Sequence, residues 1–234
     1  MTQAELSAAG FEVDAAGHAK LARFVACLMT EGRRLNLTGA TDEAELWRRH
    51  VCDSLGLRPI VTESGARSLV DVGSGGGLPG LPLACVCPLT HVTLLDATRK
   101  KVEAIDRMVR DVGLDNARAA WGRAETLAHN AAFRERYDVA TARAVAALPT
   151  LVELVAGFVR VGGQCWFFKT AAALRTEAPA AESAARRCGL VHAATVGYQL
   201  PGEATPRILV GYRKAAPLDA DLPRAPGRAA KRPL

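Results

Sequence analysis

The feature that most constrains the fold of this chain is a glycine-rich segment, Val70-Asp71-Val72-Gly73-Ser74-Gly75-Gly76-Gly77-Leu78-Pro79-Gly80. The apolar residues from 68 to 72 are typical of a buried parallel strand that leads into a tight turn. Glycines at 73, 75 and 77 permit a positive φ and leave no side chain between the backbone and a ligand. Prolines at 79 and 82 suit the first turn of a helix, and Pro88 ends it. The segment predicts a strand, a turn and a short helix that together cradle a ligand.

The spacing of the glycines distinguishes a dinucleotide-binding site from an adenosyl-cofactor site. A dinucleotide-binding fingerprint would place its third glycine where this chain has Leu78. The pattern Asp71-x-Gly73-x-Gly75-x-Gly77 instead resembles the first motif of class I methyltransferases that use S-adenosylmethionine (SAM). Asp96 ends the next apolar run, 23 residues after Gly73, and a carboxylate there can accept both ribose hydroxyls of an adenosyl cofactor. A NAD-type oxidoreductase shares the glycine turn and the acidic residue, so it stays the alternative.

Length and composition predict one α/β catalytic domain. The chain has 234 residues, of which 49% are hydrophobic, enough to bury a single sizeable core. Its six cysteines include no C-x-x-C pair and no accompanying histidine cluster, so neither a metal site nor a disulfide framework is predicted. The N-terminal residues lack a signal peptide's basic start and apolar core, and no apolar run approaches the ~20 residues of a membrane span. We expect a cytoplasmic monomer with no membrane contact.

The net charge of +6 is concentrated near the C-terminus. From residue 213 onward, six basic residues accompany two acidic ones. Residues 215–234 are rich in proline and alanine, so we expect a disordered, solvated tail; an arm that grips RNA is the alternative. The expected division is a helical extension at 1–67, a SAM-binding core at 68–214 and the tail at 215–234.

Two amphipathic helices are predicted ahead of the core, over 18–35 and 42–57. The second carries His50 and Asp53, which are three residues apart and share one helix face. The carboxylate can therefore hold the imidazole in one tautomer. Such a pair either stabilises the local structure or contacts a substrate directly.

With these helices the resemblance becomes specific to one family. The stretches that carry it are Asn36-Leu37-Thr38, Arg49-His50-x-x-Asp53-Ser54-Leu55, the glycine-rich segment, Leu94-Leu95-Asp96, Lys100-Lys101-Val102, Arg123-Ala124-Glu125 and Thr141-Ala142-Arg143-Ala144-Val145. From about residue 20 to about residue 170, the chain resembles the small-subunit ribosomal RNA methyltransferase G (RsmG) family.

The resemblance implies both a fold and a reaction. The fold is a Rossmann-like methyltransferase fold, with a seven-stranded, mostly parallel sheet and helices on both faces. The reaction moves a methyl group from SAM to N7 of one guanine of 16S rRNA, at position 527, so the partner is 16S rRNA or the small ribosomal subunit. A small-molecule methyltransferase or an inactive RNA-binding relative with the same pocket is the alternative.

Candidate cofactor residues come from two sources. The resemblance implies that the SAM pocket is lined by Gly73, Leu78, Ala124, Glu125 and Arg143. The turn and the ribose argument add Gly75, Gly77 and Asp96. Glu125 also suits a carboxylate at a helix start, which the helix dipole favours. Arg143 ends the fourth predicted strand, and open parallel sheets bind ligands at that edge.

Candidate RNA-contacting residues are His50, Lys100, Lys101, Arg123 and Lys169. Arg99, Lys100 and Lys101 crowd a first helical turn, where the dipole disfavours cations. Asp96 or an RNA phosphate is one expected partner; the alternative is that these side chains extend into water. Lys169 follows an apolar strand, where it can meet a phosphate or cap the sheet edge.

No catalytic base is predicted. Methyltransferases that act on exocyclic amines commonly carry an Asn/Asp-Pro-Pro-aromatic motif where this chain has Thr141-Ala142-Arg143-Ala144. Guanine N7 has a free lone pair and no proton to remove. Catalysis then reduces to positioning and to stabilising the altered charge.

Overall fold

The computed structural model describes residues 1–35, 37–40 and 42–234; Asn36 of the first family motif lies outside them. One sheet runs through the molecule in the order β3-β2-β1-β4-β5-β7-β6. Its strands are β1 (Ser68–Val72), β2 (His91–Asp96), β3 (Ala117–Trp121), β4 (Tyr137–Arg143), β5 (Val159–Thr170), β6 (Leu190–Tyr198) and β7 (Arg207–Lys214). Strands β1 to β5 are parallel to one another, and β7 pairs antiparallel with both β5 and β6. The predicted fold class is confirmed.

The helices lie on both faces of the sheet. They are α1 (Gln3–Ala8), α2 (Ala15–Leu35), α3 (Glu43–Glu45), a π-helix (Leu46–Val51), α4 (Cys52–Leu55), α5 (Arg58–Glu63), α6 (Gly80–Val86), α7 (Arg99–Val112), α8 (Ala124–Leu127), α9 (Leu148–Ala156), α10 (Ala171–Arg187) and α11 (Arg228–Lys231). One core contains Phe24 of α2, Trp47 of the π-helix and Met108 of α7. The other contains Leu151 of α9 and Ala184 of α10.

The strand order places the site. The sheet continues to β2 on one side of β1 and to β4 on the other, so the crossover helices diverge between these strands. In open parallel sheets this divergence leaves a crevice at the carboxyl ends of the strands. The glycine turn after β1, Asp96 at the end of β2 and Arg143 at the end of β4 all lie at this edge.

The helix predicted over 42–57 is interrupted by a wider turn. Its centre, Leu46–Val51, is a π-helix, which places an extra residue in each turn and often marks functional sites. Trp47 is buried and His50 is half-buried within it. The Ser54 hydroxyl donates to the His50 carbonyl oxygen at 2.6 Å, which satisfies a carbonyl in the irregular turn.

The structure corrects the prediction of a disordered tail. Leu218 and Leu222, buried against the face that carries α9, anchor residues 215–234. The Arg134 guanidinium donates to the Leu218 and Leu222 carbonyl oxygens at 2.8 and 2.9 Å. Arg224 forms an ion pair with the fully buried Glu153. The tail folds because its few apolar residues and one arginine meet partners from distant parts of the chain, which its local composition does not reveal.

Within the described ranges, no helix is long and apolar enough to cross a membrane. The same residues contain no group of three or more histidine, cysteine or acidic side chains arranged to hold a metal ion.

Candidate active site

The glycine turn after β1 is held directly against β2. The backbone N–H groups of Gly73 and Ser74 both donate to the Leu95 carbonyl oxygen, at 2.8 and 3.0 Å. Gly73, Gly75 and Gly77 have φ values of 78, 57 and 83°, a region that side chains disfavour. A Cβ atom on Gly73 would lie 2.6 Å from a methyl group of Val145. The turn therefore requires glycine for its conformation and, at residue 73, for space.

Asp71 connects this turn to α6. Its Oδ2 accepts a hydrogen bond from the Gly80 N–H at 2.9 Å, and the side chain is fully buried. Burial raises the pKa of Asp71 to about 7. Oδ1 has no partner among the described residues. Asp71 therefore fixes the start of α6 relative to β1.

Asp96 holds the other side of the turn. Its Oδ2 accepts from the Gly75 N–H at 3.0 Å and its Oδ1 from the Thr98 N–H at 2.8 Å. Each carboxylate oxygen can accept more than one hydrogen bond, so both retain capacity for a ligand hydroxyl. The carboxylate that the sequence assigned to ribose thus also shapes the glycine turn.

A cavity of about 490 Å³ opens over this turn. Such a volume lies within the usual range of small-molecule sites, roughly 300–1,000 Å³. Its walls are Leu37–Gly39, His50, Gly73–Gly76, Leu78, Asp96, Ala97, Lys101 and Arg143–Val145. Glycine backbone on one side and a carboxylate on the other suit an adenosyl group with ribose hydroxyls. We call this space the glycine-turn cavity.

A second cavity, of about 480 Å³, lies next to it. We call it the Tyr198 cavity. Its own walls include Asp53, Phe168, Lys169, Tyr198 and Arg207, and it shares Gly39, His50, Arg143 and Ala144 with the glycine-turn cavity. His50 and Arg143 therefore line both of these ligand-sized spaces.

Arg143 is fixed by contacts with the π-helix and with α4. Its Nη1 donates to Asp53 Oδ2 at 2.9 Å, and its Nη2 donates to His50 Nδ1 at 3.2 Å. Tyr198 completes the group, because its hydroxyl donates to Asp53 Oδ1 at 2.6 Å. Only 12% of the Arg143 side chain and 10% of the Asp53 side chain are exposed. The predicted His50–Asp53 pair is thus joined through an arginine from β4.

His50 is neutral in this arrangement. Burial, and then the adjacent Arg143 charge, lower its pKa to about 4. Nδ1 faces an arginine N–H, so it must accept, and the ring proton belongs on Nε2. The shared wall therefore carries one arginine charge, balanced by Asp53, beside an uncharged imidazole.

This arrangement predicts a pH dependence of stability. The unfolded His50 binds a proton below its ordinary pKa of about 6.5, whereas the folded one does so only near pH 4. The unfolded state therefore binds more protons in this window, and stability falls as the pH is lowered from 6.5 towards 4. His50→Gln should lose less stability than the wild type over that range in urea unfolding. Parallel stability curves for the two proteins would contradict the assignment.

The remaining candidate residues differ in whether they line the glycine-turn cavity. Gly77 shapes the turn, while Ala124 and Glu125 begin α8 outside the described walls of the glycine-turn cavity. The Glu125 carboxylate accepts the Gly227 N–H of the tail at 2.9 Å. Lys101 lines the cavity, whereas Lys100 and Arg123 are exposed and are not among its described lining residues.

Lys169 lies on the wall of the Tyr198 cavity, with its charge already paired. Its ammonium group contacts Glu177 at 2.8 Å and donates to the Ala146 carbonyl oxygen at 3.0 Å. Sequence reasoning missed Tyr198, Phe168 and Arg207. Tyr198 reaches Asp53 across 145 positions of sequence, and no local pattern gives such a pairing.

The cysteines take no part in either cavity wall. All six are free, and five of them are buried. Burial raises the pKa of the Cys165 thiol to about 12, so a thiolate nucleophile is disfavoured there.

The fold and the glycine-turn cavity together define the class of Rossmann-like methyltransferases. A methyltransferase from Geobacter sulfurreducens superimposes with a TM-score of 0.54 at 20% identity, over 82% of this chain and 88% of the other. A putative O-methyltransferase from Klebsiella pneumoniae gives a TM-score of 0.57 at 12% identity, over 92% and 96% of the two chains. At these identities the similarity concerns the fold alone.

Sequence comparison identifies the family. The family model for rRNA small subunit methyltransferase G matches residues 17–201, and the chain belongs to this family. The ribosomal RNA small subunit methyltransferase G of Roseiflexus castenholzii is 38% identical, over 96% of this chain and 95% of the relative. That of Oenococcus oeni is 34% identical, over 88% and 85%.

Proposed function

We propose that this protein transfers a methyl group from SAM to N7 of one guanine of 16S rRNA, in the cytoplasm. The observation that carries the proposal is the lining that the two cavities share. Arg143 and His50 line both spaces, so a cofactor in one and a base in the other would adjoin each other beside the same two fixed side chains, with the sulfonium methyl facing N7 directly. Family membership supplies the reaction class.

The glycine-turn cavity is proposed to hold SAM. Gly73, Gly75 and Leu78 would lie against the ligand, and the Asp96 carboxylate would accept the ribose hydroxyls. Gly77 would keep the turn in shape. Ala124 and Glu125, outside the described cavity walls, are proposed to act at its adenine end through their backbone. When bound, SAM supplies a methyl group on a sulfonium.

The Tyr198 cavity is proposed to hold the target guanine. The Arg143 fork matches the guanine O6 and N7 edge in chemistry, and a contact to O6 would leave the N7 lone pair free. Guanine becomes cationic when N7 is methylated. A neutral His50, and an Arg143 already balanced by Asp53, keep the wall from opposing that charge. Their role is positioning and electrostatics, without proton removal.

The proposal is tested by incubating the purified protein with tritiated SAM and small ribosomal subunits that lack the modification. Label at N7 of a guanine in 16S rRNA is expected. Label on another base or atom, or none, would overturn the rRNA assignment. Calorimetric titration with SAM and with NAD separates the cofactors, since tight binding of NAD alone would support an oxidoreductase.

A matched glycine pair tests the cofactor site. Gly75 and Gly113 have φ values of 57 and 75°, and a Cβ on either would meet no atom closer than 4.0 Å. Alanine at each position therefore costs roughly 1–2 kcal/mol of backbone strain. Only Gly75 lines the glycine-turn cavity. We expect Gly75→Ala to weaken SAM binding about tenfold or more in calorimetric titration, and Gly113→Ala to leave it unchanged. Equal affinities in the two variants would remove the turn from the cofactor site.

A further inference from the structure

An exposed tryptophan contacts residues that line the glycine-turn cavity. Trp121 ends β3, an edge strand, and is the register partner of Asp96. It is 59% exposed, which is unusual for so large an apolar side chain. Its indole N–H donates to the Ala97 carbonyl oxygen at 3.2 Å, so the ring has a fixed position. Ala97 itself lines the cavity.

The surroundings of the ring are cationic. The Arg99 guanidinium lies over the indole, 5.5 Å from the ring centroid. Lys100 and Arg123 are exposed nearby in sequence and strand order, and neither forms an ion pair within the described part of the chain. The segments 97–101 and 117–123 contain five basic residues and no acidic one. Arg99 does contact Glu103, at 3.2 Å, but its side chain remains 72% exposed.

We propose that Trp121 and Arg99 form a stacking platform for an unpaired base of the RNA substrate, next to but distinct from the target guanine. This inference rests on the proposed function. Nucleobases stack on tryptophan and on guanidinium planes, and Lys100 and Arg123 would meet the flanking phosphates. The excess of positive charge around the ring favours a polyanionic partner such as RNA.

The platform has a positional consequence. Trp121 and Asp96 are paired neighbours at the carboxyl edge of the sheet, so the RNA would cross the open side of the glycine-turn cavity. The substrate would then contact the enzyme on both sides of the cofactor, with one base in the Tyr198 cavity and another on Trp121. Such a two-point contact fixes the RNA relative to the methyl group.

Three variants test the platform. Trp121→Ala removes the stacking ring, whereas Trp121→Phe keeps an aromatic face and loses the indole N–H. Leu89→Ala is the matched control, because Leu89 is 70% exposed and precedes the amino end of β2, whereas Trp121 lies at the carboxyl end of β3. Binding of an unmodified 16S rRNA transcript is measured at several salt concentrations, alongside methylation of small subunits that lack the modification and calorimetric titration with SAM.

Trp121→Ala is expected to weaken transcript binding roughly 5- to 140-fold, the range that corresponds to the loss of one base–aromatic stack. The salt dependence should not change, because no charge is removed. Trp121→Phe and Leu89→Ala should remain close to the wild type, and SAM affinity should stay constant in all three variants.

Several results would overturn the platform. Trp121→Ala could bind the transcript as tightly as the wild type does. Trp121→Ala and Trp121→Phe could lose transcript affinity equally, or the affinity of Trp121→Ala for SAM could fall by the same factor as its affinity for the transcript. A loss seen with small subunits but not with the transcript would assign Trp121 to a ribosomal protein. If the wild type methylates small subunits and Trp121→Ala binds the transcript and methylates small subunits equally well, the platform is wrong but the proposed function stands. If the wild type does not methylate them, the proposed function fails.

Discussion

Replacement of Arg143 by alanine is expected to lower kcat/KM for methylation of small ribosomal subunits about 100-fold or more. Arg143 is the side chain that contacts both His50 and Asp53 and faces both cavities. Without it, a bound base and the cofactor lose the group that fixes their relative position, and misplacement of about 1 Å can cost this much rate. Methyl transfer from tritiated SAM measures the loss.

The same substitution is expected to reduce stability. Arg143 and Asp53 are almost buried, and removal of one partner leaves the Asp53 carboxylate with the Tyr198 hydroxyl as its remaining side-chain contact among the described residues. Breaking a buried pair in this way costs about 3 kcal/mol. For a chain of this size, we expect a fall in Tm of roughly 6–12 °C.

Two further variants separate function from stability. Arg143→Lys keeps a charge for Asp53 but loses the planar fork, so it should fold well and still lose activity. Arg160→Ala removes an ion pair of similar length, 2.8 Å to Asp138, whose arginine is 51% exposed. It should cost less than about 1 kcal/mol and leave activity unchanged. If the Arg143→Ala protein folds and has the kcat/KM of the wild type, Arg143 does not position the cofactor and the base.

Replacement of Arg224 by alanine is expected to destabilise the protein by about 3–5 kcal/mol. Arg224 lies in the Pro/Ala-rich tail, and its guanidinium pairs with Glu153, a fully buried residue of α9. Its backbone N–H also donates to Glu153 Oε1 at 2.9 Å. Without the guanidinium, a carboxylate remains buried in α9 with too few partners. Thermal and urea unfolding measure the change.

Arg228→Ala is the control within the same tail. Arg228 begins α11, is exposed, and has no ion pair within the described ranges, so its loss should change stability by less than about 0.5 kcal/mol. The double variant Glu153→Leu/Arg224→Leu should recover much of the lost stability, because an apolar pair leaves no buried charge unpaired. Equal small effects of Arg224→Ala and Arg228→Ala would show that the tail is solvated.

The sequence alone determined the part of the molecule that is local. Glycines at 73, 75 and 77 required a turn with positive φ, and the β-branched run before them required a buried strand. Helical periodicity likewise predicted a helix over 18–35, where α2 covers Ala15–Leu35. The reason is that backbone conformation and amphipathic spacing are properties of a few neighbouring residues.

Only the tertiary structure decided which distant side chains meet. Asp53 joins Arg143 from 90 residues away and Tyr198 from 145, and Glu153 joins Arg224 from 71. The first pairing ties a helix-face pair to an arginine that lines two cavities, and the second makes a tail of disordered composition part of the core. These contacts depend on sheet order and on burial, which bring residues together regardless of their separation in sequence, so no local pattern could specify them.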